Sequence, residues 1–325
     1  MKRTAFRTFF PGIKQLIRQR CLELSSNDVL CDKRITEMNM SLDEKLQILD
    51  YTVADGKLQR GLRLVNAYEA LFPQSSNEDL KKVVTLGWAI EVLQASLLIL
   101  DDLMDESPLR RGKPSWHTLP HIQNAAINDG YLLTQCAEQL IYQEFNSSEM
   151  LPKLLKTFST TIIKTSLGQA IDTNVSAFNE YTMERYRRMT ELKTSHYSFY
   201  CPLQMALHFK EDLDTLKNQQ SLVQISYDLG FYFQAQDDFL DLYGDAEITG
   251  KIGTDIEDGK GTWLLITALN SLNKNDPLFK ELEVNYGRKS SECVDRVKQI
   301  YQKLSVSDKY SEFEESQKKN IARKN

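Results

Sequence analysis

The sequence predicts an all-α protein built as one large helical bundle, and three observations support this prediction. Apolar residues recur at helical spacing over long segments, while the alternation typical of strands is almost absent. The 14 glycines and 8 prolines mostly fall between those segments, where they would end helices. No Gly/Ser-rich linker or shift in composition divides the chain, so we predict a single domain over residues 1–325.

The predicted helices follow one another along the chain and are apolar over wide faces. The clearest lie at residues 80–100, 131–142, 151–163, 222–236 and 294–304. Residues 1–22 are basic, with six Lys or Arg and no acidic residue before Glu23. We predict a first helix here, with an apolar face at Ile13, Leu16 and Ile17. We also predict that the protein is cytoplasmic. The alternative is the remnant of a mitochondrial targeting segment.

Composition and charge argue against several classes of function. A net charge of -5 is unlike that of a nucleic-acid-binding protein, which usually carries a basic excess. The five cysteines are scattered, odd in number and without C-x-x-C spacing, which is typical of reduced thiols rather than of a disulfide framework or a zinc site. No uninterrupted apolar run reaches the roughly 18 residues that a transmembrane segment needs.

One acidic motif occurs twice, each time at the end of an apolar helix. Residues 96–105 read SLLILDDLMD, and residues 232–241 read YFQAQDDFLD. Residues four apart share a helix face, so each motif gathers carboxylates although like charges at that spacing repel. One such cluster could equally be a solvated acidic helix end, but the repeat favours binding of Mg²⁺, which takes carboxylates, water and substrate phosphates as ligands. The predicted metal ligands of two facing clusters are Asp101, Asp102 and Asp105, and Asp237, Asp238 and Asp241.

Basic residues near both motifs could hold the phosphate groups of a diphosphate. Such residues are most often surface charges, and only their proximity to the aspartates makes them candidates, with Arg suited to bidentate contacts. One pair is three residues apart and would share a helix face, and a second pair follows the first motif at a loop or helix start. In chain order the candidates are Lys57 and Arg60, Arg110 and Arg111, and Lys251 and Lys260.

Six segments resemble the trans-isoprenyl diphosphate synthase family, in particular its farnesyl diphosphate synthase branch. They read GKLQRGL, LQASLLILDDLMDESPLRRGKPSW, GQAIDT, KTSHYSFYCPL, FYFQAQDDFLDLYGD and TGKIGTDIEDGKGTWL, and they lie within residues 50–310. The resemblance implies an all-α bundle around a central active-site cavity, usually a homodimer. It also implies a prenyltransferase with about three Mg²⁺ ions per active site. Such an enzyme condenses isopentenyl diphosphate with dimethylallyl or geranyl diphosphate.

The resemblance further implies a role for each candidate residue. The six aspartates correspond to the two aspartate-rich motifs of the family, with Asp255 joining the second through water. The allylic diphosphate would be held by Arg110, Lys193 and Lys251, and Lys260 is a further substrate-binding candidate. Isopentenyl diphosphate, which binds without metal, would be held by Lys57, Arg60, Gln94 and Arg111. Gln169 and Asp172 would line the metal side, and the carbocation would meet oxygen dipoles of Thr194, Tyr197 and Gln234.

Several positions depart from the family pattern, mostly on the isopentenyl side. They are Thr52, Gln59, Leu109, Ser115 and the stretch 260–263, and the sequence ends with EFEESQKKNIARKN, where family members continue to a basic tail. Two alternatives therefore stay open. One is a terpene synthase on the same scaffold, which rearranges a prenyl diphosphate without condensation, and the other is a non-catalytic paralogue that regulates an active partner. The retained isopentenyl ligands make prenyl transfer the leading hypothesis.

The residues just before the first motif predict the length of the product. In the family, bulky aromatic residues at this place form the floor of the pocket for the hydrocarbon tail. Here the corresponding residues are Ser96 and Leu97. A smaller floor implies a deeper pocket, so the resemblance predicts a farnesyl or longer product rather than a geranyl product.

Overall fold

The computed structural model describes residues 1–26, 42–174, 177–209, 216–245 and 253–323, and nearly all of its elements are helices. Within those ranges the only strands are β1 (Leu109–Arg110) and β2 (Lys113–Pro114), which pair with each other. The prediction of an all-α protein is confirmed.

The helices follow in chain order, with short 3₁₀ helices at Trp116–Thr118 and Phe178–Glu180 and one π-helix at Glu191–Tyr200. The α-helices of the first half are α1 (Arg3–Arg7), α2 (Phe10–Ser26), α3 (Leu42–Thr52), α4 (Gln59–Leu71), α5 (Asn77–Met104), α6 (Ala125–Phe145) and α7 (Leu151–Thr173). Those of the second half are α8 (Met183–Thr190), α9 (Cys201–Leu207), α10 (Leu216–Tyr243), α11 (Trp263–Asn270), α12 (Pro277–Asn285), α13 (Ser291–Lys303) and α14 (Val306–Arg323).

The chain separates into two compact units. Unit 1 comprises Met1–Pro108, Pro114–Thr160 and Cys201–Leu216, and unit 2 comprises Leu109–Lys113, Thr161–Tyr200 and Lys217–Asn325. The first aspartate motif belongs to unit 1 and the second to unit 2. That the chain forms a single domain, and that the two motifs face each other, stay predictions.

Helix α5 is the central element of unit 1. The Ser76 hydroxyl caps its first turn by accepting from the Asp79 N–H at 3.0 Å, a contact that typically contributes about 1 kcal/mol. The helix is long enough to cross a membrane, and its most apolar 18-residue window is apolar enough to do so, but 83% of that window is buried within the protein. This burial is typical of a core helix. Helices α4 and α5 approach so closely that a Cβ at Gly61 would lie 2.6 Å from the carbonyl oxygen of Gly87.

The N-terminal segment is helical, as predicted, but it is divided into α1 and α2. Phe6 stacks on Trp88 of α5 with ring centroids 4.7 Å apart, so α1 packs on the core of unit 1. On α2, Ile13 and Ile17 are buried as expected, whereas Leu16 is 37% exposed. The apolar face of α2 is therefore narrower than the sequence pattern indicated.

Unit 2 is organised around the π-helix and an aromatic core. A Cβ at Gly168 of α7 would lie 2.3 Å from the Lys193 backbone nitrogen, and a Cβ at Gly230 of α10 would lie 2.4 Å from the Ser195 Cα. The two glycines thus allow α7 and α10 to touch the backbone of the π-helix. The core beside it includes Trp263, which packs against aromatic side chains of α14.

Candidate active site

The first aspartate motif lies at the C-terminal end of α5, as predicted. Asp101 and Asp102 are in the last turn, and Asp105 is the C-cap residue, whose N–H donates to the Asp101 carbonyl at 2.9 Å. Asp102 is only 3% exposed, whereas Asp101 and Asp105 are partly exposed. Because residues 101 and 105 share a helix face, their carboxylates are the ones that an incoming ion can reach.

The second motif repeats this pattern near the end of α10. Asp237 is exposed and Asp241 partly exposed, whereas Asp238 is 5% exposed. One oxygen of Asp238 accepts from the Trp263 N–H and the Tyr186 hydroxyl, both at 2.8 Å. Its other oxygen accepts from Gln234 Nε2 at 3.0 Å. Three donors therefore engage both oxygens, and this arrangement fits an anchor between α8, α10 and α11 better than a metal ligand.

Burial governs the protonation of this anchor. It raises the pKa of Asp238 to about 7, although the hydrogen bonds from Trp263, Gln234 and Tyr186 favour the ionised carboxylate and oppose the shift. Burial also raises the pKa of Tyr186 well above its ordinary value, and the neighbouring Asp238 adds to that effect. The Tyr186 hydroxyl therefore stays protonated and donates a hydrogen bond to Asp238.

The segment after the second motif folds back onto Asp241. The Asp255 N–H donates to Asp241 Oδ2 at 3.1 Å, so Asp255 contacts the motif directly through its backbone, and the contact through water that the resemblance implies stays a prediction. A Cβ at Gly253 would lie 1.8 Å from the Asp241 carbonyl oxygen. Only glycine fits at that distance, which fixes the place of the loop on the end of α10.

The π-helix carries three of the four predicted catalytic residues, namely Lys193, Thr194 and Tyr197. π-Helical segments are rare and frequently occur at functional sites. The Thr194 hydroxyl donates to Oε1 of Gln234, the fourth predicted residue, and Gln234 in turn donates to Asp238. One chain of hydrogen bonds within unit 2 thus joins the π-helix to α10. Tyr197 is buried, at 9% exposure.

Two predicted phosphate-binding lysines meet at one carboxylate. Lys193 Nζ lies 2.6 Å and Lys260 Nζ 3.1 Å from the same oxygen of Asp172, and all three side chains are at most 21% exposed. Burial alone would raise the pKa of Asp172, but the two ammonium groups outweigh it and hold the pKa below its usual value. Asp172 thus pairs with two lysines, whereas the resemblance implied that it lines the metal side. The cluster keeps an excess positive charge.

The isopentenyl candidates on unit 1 are placed differently from the expectation. Lys57 and Arg60 do not share a helix face, because α4 begins at Gln59 and Lys57 lies in the loop before it. The cause is Leu58, whose φ of 54° breaks the helical path while its side chain is buried. Lys57 is exposed and Arg60 partly exposed. Gln94 is buried in α5, at 6% exposure.

The paired arginines after the first motif lie at a tight hairpin turn, so of the two expectations, a loop or a helix start, the structure has the loop. Arg110 ends β1, and Arg111 and Gly112 connect the two strands with φ values of 55° and 75°. Positive φ at both central residues is typical of the two-residue hairpin turn. Lys251, the remaining phosphate candidate of the second motif, lies outside the described residues.

The remaining predicted positions have simple surroundings. Gln169 is partly exposed on α7, next to the glycine that touches the π-helix. The Ser96 hydroxyl donates to the Gly130 carbonyl at 2.7 Å and also contacts Thr134, so this residue packs against α6. Leu97 is partly buried. Leu97 is therefore the better candidate for the floor of a tail pocket.

The accessible carboxylates suit Mg²⁺ chemically. Each motif offers two reachable aspartates one helical turn apart, and carboxylate oxygens are the ligands that Mg²⁺ prefers. Among the described residues, no three His, Cys, Asp or Glu side chains form a ready metal-binding group. A magnesium ion bound here would therefore complete its shell with water and phosphate oxygens, which is its usual behaviour at phosphate sites.

Sequence reasoning missed the residues that hold the second motif in place. Tyr186 and the Trp263 backbone were not identified as partners of Asp238, because they lie 52 and 25 residues away along the chain. One local signal was available for the second of them. Thr262 is the N-cap of α11 and accepts from the Leu265 N–H at 3.1 Å, which orients the start of this helix towards Asp238.

Comparison with known proteins supports the family resemblance. Residues 43–304 match the model of the family described as polyprenyl synthetase. Farnesyl diphosphate synthase 1 of Artemisia spiciformis is 38% identical over 282 residues, which cover 85% of this chain and 80% of the relative. Farnesyl pyrophosphate synthase of Zea mays is 39% identical over 285 residues, again covering 85% and 80%.

Solved structures extend this similarity to the whole chain. The farnesyl diphosphate synthase of T. brucei, solved in complex with risedronate, superposes with a TM-score of 0.88 at 29% identity. The match covers 100% of this chain and 92% of that one. The helical fold described above is therefore shared with that enzyme.

Proposed function

Because the chain belongs to the polyprenyl synthetase family, we infer that it is a trans-isoprenyl diphosphate synthase. It condenses isopentenyl diphosphate with dimethylallyl or geranyl diphosphate and forms farnesyl diphosphate. Relatives named as farnesyl diphosphate synthases match 85% of the chain, which favours prenyl transfer over a terpene synthase on the same scaffold. The same matches argue against a non-catalytic paralogue.

The observation that carries this proposal is the grouping around the π-helix. Lys193 and Lys260 converge on Asp172, and Thr194 of the same helix is linked to Gln234. Two lysines that share one carboxylate, and that we propose as ligands of the diphosphate, therefore lie in a partly buried place on the same helix as Thr194 or beside it. This is the combination that ionisation of an allylic diphosphate requires.

The residues of unit 2 act on the allylic substrate. Lys193 and Lys260 bind diphosphate oxygens and stabilise the charge that develops as the carbon–oxygen bond breaks. Asp172 holds both ammonium groups in position before the substrate arrives. The Thr194 hydroxyl donates a hydrogen bond to Gln234 Oε1, and the lone pairs of the hydroxyl oxygen can therefore face the allylic cation. Tyr197 presents a further oxygen dipole.

Members of this family use Mg²⁺, and the accessible aspartates are its proposed ligands. Asp101 and Asp105 would hold it in the first motif, and Asp237 and Asp241 would hold it in the second, with the roughly three ions per active site that the resemblance implies. Mg²⁺ bound there would supply positive charge to offset the charge of the diphosphate.

Isopentenyl diphosphate is held without metal by four residues of the proposed site. Lys57, Arg60, Gln94 and Arg111 bind its diphosphate and place its double bond next to the allylic carbon. Holding both reactants in this geometry lowers the entropic part of the barrier. The released diphosphate then accepts the proton lost from the new prenyl chain.

Product analysis tests this function directly. The purified protein is incubated with Mg²⁺ and dimethylallyl or geranyl diphosphate, with and without isopentenyl diphosphate. We expect farnesyl diphosphate only when isopentenyl diphosphate is present. A hydrocarbon or terpene alcohol made from the allylic substrate alone would contradict the proposal in favour of terpene synthesis. Absence of diphosphate release from every allylic substrate would contradict catalysis altogether.

We also propose that two copies of the chain form a homodimer. Ile127 and Tyr131 are four residues apart on α6 and are 56% and 65% exposed. Large apolar side chains on one exposed helix face commonly mark a protein interface. Sedimentation should give the mass of two chains for the wild type and of one chain for Tyr131→Asp. A monomeric wild type would refute the dimer.

A further inference from the structure

The N-terminal helix α1 contacts the loop that leads to Lys57 and Arg60. Arg3 Nη2 donates to the Gly56 carbonyl at 2.7 Å. Arg7 Nη2 donates to the Ala54 carbonyl at 2.9 Å and to the Gly56 carbonyl at 3.4 Å. Two guanidinium groups therefore bind the last backbone carbonyls before Lys57. Planar guanidinium groups offer several donors in a fixed geometry, which suits them to hold a chain turn.

The loop has an unfavourable backbone conformation that these contacts help to maintain. Leu58, between Lys57 and Gln59, has φ 54° and ψ 30°, a region that a branched apolar residue rarely adopts. The Leu58 side chain is 1% exposed. The backbone is therefore held after Lys57 by the buried leucine and before Lys57 by the contacts of the two arginines. Such backbone conformations persist only where several surrounding contacts hold them in place.

Helix α1 is itself firmly attached to the core next to this loop. Phe6 is fully buried, and a Cβ at Gly61 of α4 would lie 2.8 Å from its ring. The same ring stacks on Trp88, whose indole N–H donates to the Phe6 carbonyl at 3.3 Å. Phe6 lies between Arg3 and Arg7 in sequence, so both arginines extend from a fixed helix.

We propose that Arg3 and Arg7 are positioning residues for the metal-free diphosphate subsite. They hold the carbonyl groups of Ala54 and Gly56 in place. The loop backbone held in this way sets the direction of the Lys57 and Arg60 side chains. The inference rests on the proposed function, because it takes these two residues as ligands of isopentenyl diphosphate. It assigns the basic N-terminal helix a part in substrate binding.

Steady-state kinetics separates this role from a general structural one. For Arg3→Ala and Arg7→Ala we expect the KM for isopentenyl diphosphate to rise about 10-fold, since small displacements of binding groups are costly. The KM for geranyl diphosphate and the kcat at saturating isopentenyl diphosphate should stay within about twofold. Arg3→Lys and Arg7→Lys should restore part of the affinity because they keep a donor. Equal changes in both KM values and in kcat would overturn the proposal.

A matched control variant removes a neighbouring positive charge without touching the loop. Lys14 lies on α2 and pairs with Asp50 at 2.6 Å, and the Lys14 side chain is partly exposed and that of Asp50 exposed. Lys14→Ala should leave the KM for isopentenyl diphosphate unchanged. An increase as large as that of the arginine variants would mean that net charge, not positioning, governs binding, and the proposal would fail.

Calorimetric titration gives a second readout that does not depend on turnover. Isopentenyl diphosphate is titrated into the wild type and the arginine variants without Mg²⁺. We expect about 10-fold weaker binding by the variants, with thermal unfolding still cooperative. Unchanged binding by folded variants would overturn the inference. A wild type that neither binds nor consumes isopentenyl diphosphate would instead refute the proposed function, so the two failures are distinguishable.

Discussion

Asp237 and Asp238 are chemically identical neighbours that occupy opposite environments. Asp237 is exposed, whereas Asp238 is buried and accepts three hydrogen bonds from α8, α10 and α11. Asp101 and Asp102 show the same contrast in exposure. Consecutive residues are rotated by about 100° around a helix, so only one of each pair can point to the ligand side. The motif thus combines a ligand-facing carboxylate with a structural one.

Replacing each of these aspartates by asparagine should separate the two roles. In Asp237→Asn we expect kcat to fall about 100-fold or more, because a charged metal ligand is lost, while the unfolding free energy changes by less than about 0.5 kcal/mol. In Asp238→Asn an amide N–H₂ would meet a donor, which should lower the unfolding free energy by about 2–3 kcal/mol. Urea unfolding and initial rates measure both effects.

Each variant serves as the control of the other, since both replace a carboxyl group by an amide at neighbouring positions. An Asp238→Asn protein as stable as the wild type would contradict the anchoring role. An Asp237→Asn protein with full activity would contradict its role as a metal ligand. Helical rotation alone could have predicted that the middle aspartate lies off the ligand face. Its partners could not be predicted, because they come from distant segments of the chain.

At the scale of elements, the backbone of the π-helix is in close contact with two long helices. Gly168 and Gly230 place α7 and α10 against Lys193 and Ser195. Lys193 therefore reaches Asp172 from a backbone that cannot shift without moving two long helices. Precise placement of a charged group in this way is expected where catalysis depends on positions held to a fraction of an ångström.

Gly168→Ala should disturb this element. The new Cβ would lie 2.3 Å from the Lys193 nitrogen, a backbone atom that cannot rotate away. We expect a loss of about 1–3 kcal/mol in unfolding free energy and a fall in kcat of about 10-fold. Thermal unfolding and initial rates with geranyl diphosphate check both.

Gly12→Ala is the matched control, because nothing lies within 4 Å of a Cβ at that position in α2. Alanine favours helix over glycine, so this variant should be as stable as the wild type or slightly more stable, by up to about 1 kcal/mol. Wild-type stability and kcat in Gly168→Ala would show that the contact between α7 and the π-helix is not tightly constrained.

The elements also show where periodicity is a sufficient guide. Helix α5 and the aspartates at its end follow from a long apolar segment, which is buried without interruption from Val83 to Ser96. Lys57 and Arg60 do not follow the helical spacing that predicts a shared face, because Leu58 between them has a positive φ and a buried side chain. The spacing of residues did not predict the hairpin turn at Arg111 and Gly112 either. A single residue with tertiary contacts can override local spacing, and such contacts are not visible in sequence.

For the whole molecule, the sequence predicts the fold class and the family, because long helical repeats and ordered motifs are local signals. The resemblance, rather than periodicity, supplied the roles of Lys193, Thr194 and Gln234. The burial of Lys260 against Asp172 joins residues 88 positions apart, which local patterns cannot indicate. The same limit applies to the proposed meeting of the two aspartate motifs, which belong to different units.

Joint binding of Mg²⁺ and inorganic diphosphate should reveal whether both motifs serve one ligand. No three metal-binding side chains are grouped in the described part of the chain, so Mg²⁺ alone should hardly change the unfolding temperature. Diphosphate alone should bind weakly, because the accessible aspartates repel it. Together the two should stabilise the protein by about 2.7 kcal/mol at a ligand concentration 100 times the Kd.

The variants decide between one shared site and two separate ones. If both motifs hold metal on the same diphosphate, Asp101→Asn and Asp237→Asn should each remove most of the joint stabilisation, because losing either side releases the bridging ions. Glu315→Gln is the control, since Glu315 lies on α14 outside both motifs, is 75% exposed and pairs with Lys319 at 3.8 Å. It should respond to Mg²⁺ and diphosphate as the wild type does. A full joint shift in Asp101→Asn would mean that the first motif does not share the ligand of the second, and the two-motif site would have to be abandoned.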